Sequence, residues 1–490
     1  EVITVETDDP TVRLAINQYF EANHLINTDA IEMYREEVRK EVNAENESGL
    51  LFSLFKNYYA PFIMHGLVRP LIIIAFLALF FTSLAMVPKV STGLDQKLSM
   101  PKDSYVLDYF EALEEYLSVG VPVYFVLKNV KDYSDINHQN AICATSGCNV
   151  DSLLNQINMA TLQPNYTRLA VPANSWLDDY FDWLASDCCR VHKNSSEFCP
   201  SSSDTSQCEP CPIRFQDDTT RPVSSDFYKY LRFYLNDNPN VNCSKGGHAA
   251  YGAALEILSK EGDEDEIKIG ATSFMAYHKV GVTSADFIES LRHANTIAAN
   301  ITSMLKENAK MFSNDTEEIE SIEVFPYSIS YVFYEQYLTI WKDGSFNLGI
   351  SLLSIFLVTV VLLGLDFYTA LIVAGTIAMI VVNMFGAMYL FNIELNAVSL
   401  VNLVMAIGIS VEFCAHTARE FAVTIRGSRI SRAEYAIAHM GSSVFSGITL
   451  TKILGIIVLA FSHSQLFQVF YFRMYLSVVI IGASHGLIFL

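Results

Sequence analysis

Long apolar runs occupy two regions of this chain, and a long polar stretch separates them. A helix needs about 20 mostly apolar residues to cross a bilayer. Six runs meet this requirement, one before the polar stretch and five after it. The pattern therefore predicts an α-helical transmembrane bundle with a large water-soluble domain inserted between its first two helices. The predicted spans, numbered 1 to 6 here, cover residues 70–87, 347–365, 368–391, 396–416, 444–461 and 474–490.

The chain divides accordingly into four predicted parts. Residues 1–69 are a segment of uncertain origin that is expected in the cytosol. Its first 50 residues are acidic and mostly polar, with a helical stretch near 29–43. Span 1 follows at 70–87, and the soluble domain covers 88–345. The five further spans occupy 346–490. Because the chain begins with Glu1 and stops inside an apolar run, we expect it to be a fragment whose last span is truncated.

Composition supports a membrane protein and argues against nucleic-acid binding. Hydrophobic residues make up 51% of the chain, and charged residues 17%, against about 25% in average soluble domains. The net charge is -21, and no basic stripe of the kind that binds nucleic acid is present. The sequence also contains no nucleophile elbow or phosphate loop, so neither an enzyme nor a bound cofactor is expected.

Two signals predict which side of the membrane the soluble domain occupies. Five Asn-x-Ser/Thr acceptors for N-linked sugar lie in that domain, which indicates a lumenal location. The loop between spans 4 and 5 carries four arginines, which the positive-inside rule places in the cytosol. Counting spans from this loop also puts the domain in the lumen. The acceptors are Asn165, Asn194, Asn242, Asn300 and Asn314, and the arginines are Arg419, Arg426, Arg429 and Arg432.

Eight of the nine cysteines lie between Cys143 and Cys243, inside the soluble domain. Such clustering indicates disulfides and an oxidising compartment. An alternative is a zinc site at Cys208 and Cys211, but no second Cys-x-x-Cys or His pair completes four ligands. The spacing permits a Cys143–Cys148 bridge, and the residues alone leave the remaining pairings open.

The two ends of the soluble domain show the same predicted order of elements. At each end a strand is followed by a helix and a second strand, which is the β-α-β, β-α-β order of a ferredoxin-like fold. Residues from about 128 to 265, with all eight clustered cysteines, are predicted to interrupt this core as an insertion. The predicted strands lie at 89–93, 121–127, 267–277 and 322–325, and the predicted helices at 104–118 and 283–309.

Two ionisable residues stand inside apolar runs, Glu412 in span 4 and Lys452 in span 5. A charge at the centre of a bilayer costs at least about 2.5–3.5 kcal/mol, so such residues usually face a bundle interior and mark an ion or substrate path. His416 lies one helical turn beyond Glu412, near the predicted end of span 4. It is a third candidate for an ion relay, although the bland interpretation, a solvated histidine near the cytosolic end of the helix, is the favoured one.

Small residues recur at four-residue intervals in span 5, at Gly447, Thr451 and Gly455. Because small residues allow close helix packing, we expect this face to meet span 4 and to bring Lys452 near Glu412. Two interpretations then remain open. The pair is either a proton or ion relay, in which the charge of Glu412 follows lumenal pH, or a structural ion pair that locks two helices together.

Several segments resemble Niemann-Pick type C1 proteins, and the architecture resembles half of a resistance-nodulation-division (RND) transporter, a superfamily that includes Patched. The resemblance covers roughly residues 56–490. The matching segments are 93–105 (GLDQKLSMPKDSY), 188–190 (CCR), 245–251 (KGGHAAY), 333–339 (FYEQYLT), 396–404 (NAVSLVNLV), 408–413 (GISVEF) and 439–452 (HMGSSVFSGITLTK).

The resemblance implies the C-terminal half of a multi-pass cholesterol exporter of late endosomes and lysosomes. Its implied partners are cholesterol, a small soluble lysosomal sterol carrier and the other half of the protein, with its sterol-sensing spans and its N-terminal and middle lumenal domains. Glu412 occupies the position of the family's transmembrane acid. An alternative is a Patched-like membrane receptor or scaffold whose lumenal domain binds a protein. The implied disulfides are Cys143–Cys148, Cys188–Cys243, Cys189–Cys211 and Cys199–Cys208.

Overall fold

The structure is a computed structural model that describes residues 49–490 except 196, 201, 202, 204, 217–218, 261–262, 313–314 and 425–427. Two compact units are present. Among the described residues, the membrane unit comprises 49–103 and 340–490, and the inserted domain lies within Ser104–Thr339. The segments 88–103 and 340–345, which we assigned to the soluble domain, therefore belong to the membrane unit. The predicted helix near 29–43, Asn314 and Arg426 lie outside the described residues.

Six helices in the described chain are long and apolar enough to cross a membrane, which confirms the predicted bundle. One boundary was wrong: residues 462–473, which the prediction left between spans 5 and 6, include the helical segment Phe467–Arg473, so span 6 begins earlier. The reason is tertiary packing, because the Phe470 side chain is fully buried. The spans are Val68–Met86, Ile340–Leu362, Phe367–Leu390, Ala397–Val423, Val444–Phe461 and Phe467–Phe489.

Local sequence explains where spans 3 and 4 begin. The Asp366 side chain accepts hydrogen bonds from the backbone N–H groups of Tyr368 and Thr369, which caps span 3. At span 4, the Asn396 side chain accepts from the Ser399 backbone while the Ser399 hydroxyl accepts from the Asn396 backbone. This reciprocal arrangement satisfies two backbone donors at the buried start of the helix.

A helical segment precedes span 1, in the part of the cytosolic segment for which we had predicted no structure. It runs through Leu50–Leu54, Phe55–Tyr59 and Ala60–Ile63. Phe55 is buried in a small cluster with Ala60 and Ile437, so the segment packs against the membrane unit.

The inserted domain is built on an antiparallel sheet with the strand order β2-β6-β1-β7. Strand β1 is central, and it pairs antiparallel with β6 on one side and with β7 on the other. Strands β2 and β5 both pair antiparallel with β6. Since β1 runs parallel to β2, and β6 to β7, the sheet contains two split β-α-β units, as in a ferredoxin-like fold. The bounds are β1 Pro122–Lys128, β2 Leu169–Val171, β3 Arg190–His192, β4 Cys208–Pro210, β5 Leu255–Lys260, β6 Asp263–His278 and β7 Glu323–Tyr327.

The assignment of the first β-α-β unit was wrong, although the topology was right. Residues 89–93 form no strand; Val87–Lys89 is a helical turn, and Thr92 makes a single bridge to Leu395. The helix Tyr105–Tyr116 has no buried residue, so it lies outside the core. The first unit is instead β1, the helix Leu153–Thr161 and β2. Part of the range that we assigned to the insertion therefore belongs to the core.

The second β-α-β unit follows the prediction closely. Its helix is Ser284–Phe312, and Thr283 and Asp286 cap its start by exchanging hydrogen bonds at 3.0 and 3.3 Å. One face of this helix carries Leu291, Ala298 and Ile301, which are all buried. In β1 the alternate residues Val123, Phe125 and Leu127 are fully buried, as expected for a sheet with one covered face.

The part of the insertion after β2 has its own aromatic core and disulfides. Trp176, Trp183, Tyr180 and Phe227, from two helices, are buried together. Four disulfides are present, and they are the pairs that the family resemblance implies: Cys143–Cys148, Cys188–Cys243, Cys189–Cys211 and Cys199–Cys208. Cys208 and Cys211 are thus bonded to different cysteines, and neither offers a thiolate to a metal ion.

The remaining described helical segments are short. They are Gln96–Ser99, Ile136–Ile142, Pro164–Thr167, Trp176–Ala185, Thr205–Gln207, Ser224–Asn236, His248–Tyr251, Thr316–Ser321, Tyr331–Tyr334, Glu335–Leu338, Arg429–Ala436 and Ile437–Gly441. Span 5 is built from the π-helical segment Val444–Leu450, the α-helical segment Thr451–Ile457 and the tighter turn Val458–Phe461.

Candidate interspan ion-pair site

Span 4 has two different faces, and Glu412 lies on the outward one. The buried face carries Asn402, Ser410 and Phe413, which pack inside the bundle. Gly408, Glu412 and His416 are exposed, as expected for residues four apart on one side of a helix. The acid therefore does not face the interior of the bundle that this chain forms by itself.

Lys452 of span 5 forms an ion pair with Glu412, through its Nζ and the carboxylate Oε2. Lys452 is 31% exposed and Glu412 is 51% exposed, so the pair lies at the surface of the membrane unit. The ammonium also lies 5.6 Å from the centre of the Phe413 ring, within the range of a cation–π contact. Spans 4 and 5 thus place an acid and a base together at an outward-facing position.

The small residues of span 5 do not pack against span 4 as we predicted. Gly447, Thr451 and Gly455 are exposed, and a Cβ added at either glycine would meet no atom within 4 Å. Larger side chains make the contact instead. Buried Phe413 and Val444 form a cluster with Val479 of span 6, and partly buried isoleucines surround that cluster. The three small residues therefore lie on an exposed face of span 5.

Close helix packing occurs between spans 4 and 6. A Cβ at Gly482 would lie 2.7 Å from the Phe413 ring, and one at Gly486 would lie 2.5 Å from the Phe413 carbonyl oxygen. These two glycines are four residues apart, which is the spacing that lets helix backbones approach in membranes. This spacing of small residues is visible in the sequence of span 6, but we had predicted the close packing for span 5.

His416 lies on the outward face one turn beyond Glu412. In the described part of the chain it makes no hydrogen bond or ion pair, and its ring is exposed. Span 4 continues seven residues past it, to Val423, so His416 is further from the helix end than we predicted. The structure brings Glu412 and Lys452 together but leaves His416 apart from them.

A π-helical segment, Val444–Leu450, directly precedes Lys452. The Thr449 hydroxyl there donates to the Val444 carbonyl oxygen at 3.2 Å, five residues back. π-Helical turns are rare and frequently occur at functional sites. The backbone next to Lys452 therefore departs from regular α-helical hydrogen bonding.

A second polar cluster lies in the interior of the bundle, and sequence reasoning missed most of it. His485 of span 6 is fully buried, and its Nδ1 donates to the Ile481 carbonyl oxygen. Asn383 of span 3 donates to His485 Nε2 at 3.1 Å. In span 4, Asn402 donates to the Phe470 carbonyl oxygen at 2.7 Å. These contacts hold spans 3, 4 and 6 together on the side opposite Glu412.

Polar residues at the connection between spans 5 and 6 make hydrogen bonds to backbone carbonyl groups elsewhere in the membrane unit. The Gln465 amide donates to the Met100 carbonyl oxygen at 3.4 Å, and Arg473 donates to the Phe391 carbonyl oxygen at 3.1 Å. They tie this connection to the segment after span 1 and to the end of span 3.

Four predicted sugar acceptors, Asn165, Asn194, Asn242 and Asn300, lie in the inserted domain with exposed side chains. The residue after Asn242 is Cys243, which is disulfide-bonded to Cys188. The Asn165 side-chain oxygen accepts a hydrogen bond from Lys279 at 2.7 Å.

Comparisons with known proteins give a consistent result. No family model matches the chain. NPC intracellular cholesterol transporter 1 of Sus scrofa is 52% identical over 442 residues, which cover 90% of this chain and 33% of that protein. NPC1-like intracellular cholesterol transporter 1 of Mus musculus is 42% identical over 451 residues, which cover 91% and 33%. Protein patched homolog 1 of Danio rerio is 24% identical over 479 residues, which cover 90% and 36%.

Six spans with a ferredoxin-like inserted domain and an interspan ion pair define the chain as one half of an RND-type membrane protein of the Patched superfamily. Within it, the chain belongs to the family of NPC intracellular cholesterol transporters. It spans about a third of the length of the curated relatives that it matches.

Proposed function

We propose that this chain is the second half of a transporter that exports cholesterol from the lumen of late endosomes and lysosomes, with Glu412 as its proton-responsive group. The observation that carries the proposal is the Glu412–Lys452 ion pair on the outward face of span 4. The names of the two closer relatives supply the substrate, cholesterol, and the more distant identity to Patched makes the receptor alternative the weaker one.

The chemistry of the pair favours a relay. While Glu412 is ionised, the pair is neutral overall and holds spans 4 and 5 together. When Glu412 takes up a proton, the attraction to Lys452 is lost, and this loss is large where water is scarce. Lys452 then leaves the carboxyl, and the π-helical segment before it accommodates the movement.

The outward face also indicates a partner inside the membrane. Glu412, His416 and the small residues of span 5 would all contact hydrocarbon if the chain stood alone. Polar groups in lipid are tolerated when they face protein or a water-filled cavity. The other half of the protein, with its sterol-sensing spans, covers this face in our proposal. Its middle lumenal domain receives sterol from the soluble carrier.

The inserted domain lies in the lumen in this proposal. Disulfides and exposed sugar acceptors, both found in that domain, belong to oxidising compartments. Arg419 lies in the last two turns of span 4, and Arg432 lies in the helix Arg429–Ala436 between spans 4 and 5, which is the end of the membrane unit that the positive-inside rule assigns to the cytosol.

The Glu412→Gln substitution tests the proposal because it keeps the shape of the side chain but cannot titrate. We expect cholesterol export, measured by lysosomal cholesterol in cells that depend on this protein, to be abolished. Abundance and glycosylation should remain normal. The matched control is Glu420→Gln, two turns further along the same helix, which should export normally.

Normal export by the Glu412→Gln protein would contradict the proposal. Saturable binding of a protein partner by the lumenal domain, unaffected by Glu412 or Lys452 substitutions, would favour the receptor alternative instead.

A further inference from the structure

A buried guanidinium group lies against the smallest disulfide loop of the inserted domain. Arg221 is 4% exposed, and its Nη2 donates to Cys143 Sγ at 3.3 Å and to Cys148 Sγ at 3.5 Å. Its Nη1 donates to the Asn140 side-chain oxygen, and the guanidinium lies 5.5 Å from the centre of the Phe181 ring. Among the residues that the structure describes, Arg221 forms no ion pair.

The positive charge of Arg221 is poorly compensated while this disulfide is intact. Buried charges in proteins are normally paired, because removal of a charge from water is costly unless an opposite charge offsets it. A disulfide sulfur is neutral, and sulfur is a weak hydrogen-bond acceptor. A thiolate on Cys143 would place a negative charge beside the guanidinium. A neighbouring arginine favours the thiolate over the thiol, and stabilisation of the reduced form makes a disulfide easier to reduce.

A second charged group, Asp178, lies beside this loop and holds it in place. One of its carboxylate oxygens lies within 4.8 Å of both sulfur atoms, where its charge opposes a thiolate. The carboxylate accepts hydrogen bonds from the backbone N–H groups of Ala144 and Thr145 and from the Thr145 hydroxyl, at 2.8 to 3.2 Å. These donors offset much of its charge. They also tie the loop to the helix Trp176–Ala185 independently of the disulfide, so the two sulfurs stay close enough to bond again after reduction.

The two cysteines differ in how easily a reductant can reach them. Cys143 is fully buried, whereas Cys148 is half-buried and follows the exposed residues 145–147. A reductant therefore reaches Cys148, and Cys143 beside Arg221 becomes the leaving sulfur. The bridge joins cysteines five residues apart, against 9, 22 and 55 in the other three bridges. Because the stabilisation by a disulfide rises with the length of the loop that it closes, cleavage of this bridge costs the fold least.

We propose that the Cys143–Cys148 bridge is a reversible thiol–disulfide exchange site that accepts electrons from a small-molecule thiol reductant. A thiolate of the reductant forms a bond to Cys148 Sγ, and the bond between the two cysteines breaks. Its electron pair leaves on Cys143 Sγ, where Arg221 balances the new charge. The proposal goes beyond the proposed function and does not depend on it.

A second thiolate of the reductant completes the reaction. It attacks the reductant's sulfur in the mixed disulfide and releases Cys148. The two cysteines are thereby reduced, and two reductant thiols are oxidised to one disulfide. Of the two protons that these thiols lose, one protonates Cys148 and the other passes to water.

The test measures how much of each disulfide is reduced in the full chain in cell membranes. The membranes are equilibrated with dithiothreitol at graded ratios of reduced to oxidised reagent. Free cysteines are then alkylated and quantified by mass spectrometry of their peptides. Cys143–Cys148 should open at a ratio at least about tenfold lower than any of the other three bridges requires. It should form again when oxidised reagent is added.

Arginine substitutions separate the effect of charge from the effect of exposure. Arg221→Met removes the guanidinium and should raise the ratio needed to open this bridge about tenfold, with the other three bridges unchanged. Arg221→Lys keeps a cation and should recover part of that difference. The matched control is Arg292→Met, at a half-exposed arginine that pairs with Glu289 on a helix surface. It should leave all four bridges unchanged.

Three results would overturn the proposal. The first is reduction of Cys143–Cys148 together with the other bridges, or after them, in the unsubstituted chain, and this comparison needs no variant that must fold. The second is equal reduction of this bridge in the unsubstituted chain and in Arg221→Met, because exposure alone would then explain it; Arg221→Lys replaces Arg221→Met if the latter loses the other bridges. The third is failure of the bridge to form again.

Discussion

Glu412 and Lys452 are the residues on which the functional argument depends. A buried ion pair that only locks two helices gains little over well-packed apolar side chains, because both charges lose their hydration. This chain alone leaves half of the Glu412 side chain uncovered on the outward face of span 4. Ionisable residues within membrane spans usually line an ion or substrate path, and this favours the relay over a permanent lock.

His278 of the inserted domain gives a prediction for the dependence of stability on pH. It is buried, its Nδ1 donates to the Arg168 carbonyl oxygen, and its Nε2 accepts from the Tyr331 hydroxyl at 2.6 Å. Burial lowers the pKa of His278 from 6.5 to about 4. As pH falls, the unfolded chain therefore takes up this proton first. The contribution of His278 to the free energy of unfolding is therefore complete above pH 6.5 and is lost as pH falls from 6.5 towards 4.

We expect this loss to be as much as about 3 kcal/mol of unfolding free energy. Denaturant unfolding of the full chain at pH 7, 5.5 and 4.5, followed by the fluorescence of buried Trp176 and Trp183, measures it. His278→Gln should flatten the pH dependence, whereas His248→Gln, at an exposed ring, should not. An unchanged pH profile in His278→Gln would contradict the assignment.

The ion pair was predictable at the residue level because charges are rare in apolar runs. Glu412 and Lys452 stood out for that reason. Asn383 and His485 were harder to predict, because one polar residue in a span has no visible partner until the helices are packed together. The outward direction of Glu412 could not be predicted either, because the burial of a helix face depends on which other helices pack against it.

At the scale of elements, the membrane spans were easier to predict than the strands of the inserted domain. Apolar length identified every span, and capping residues fixed the starts of span 4 and of the helix Ser284–Phe312. The strand β2 was missed because its three residues are too short to show a period. We assigned a strand of the first β-α-β unit to residues 89–93 instead, because their sequence is typical of a strand. The predicted start of span 6 was too late because polar Gln468 and Arg473 interrupt the apolar pattern. The segment is nevertheless helical, and its Phe470 side chain packs in the interior of the bundle.

The contact between spans 1 and 3 yields a prediction at this scale. A Cβ at Gly386 would lie 2.5 Å from the Ser83 hydroxyl oxygen and 2.8 Å from its Cβ, and Ser83 is buried. Gly386→Ala should therefore force the helices apart and cost about 1–3 kcal/mol. Thermal unfolding of the protein in detergent should show a lower melting temperature.

The matched control is Gly375→Ala in the same span, where an added Cβ meets no atom within 4 Å. Its melting temperature should be unchanged or slightly higher, because alanine favours a helix more than glycine does. Equal melting temperatures for the two variants would refute the close contact.

At the scale of the whole molecule, this chain leaves polar residues of the membrane unit uncovered on the outward face of span 4. The chain spans about a third of the length of the relatives that it matches, and in our proposal the other half of the protein packs on this face. The disulfides and the ferredoxin-like sheet of the inserted domain are complete in themselves. The membrane unit is thus the part whose function depends most on what covers it.

The measurement that tests the central claim most directly compares Glu412→Gln with the double variant Glu412→Gln, Lys452→Met. The single variant leaves a lysine unpaired, whereas the double variant removes both charges and keeps similar volumes. If the pair only locks spans 4 and 5, the double variant relieves the unpaired charge and should restore cholesterol export. Our account requires a titrating carboxyl at this position, so it predicts no export from either variant at normal abundance. Export restored in the double variant would contradict it.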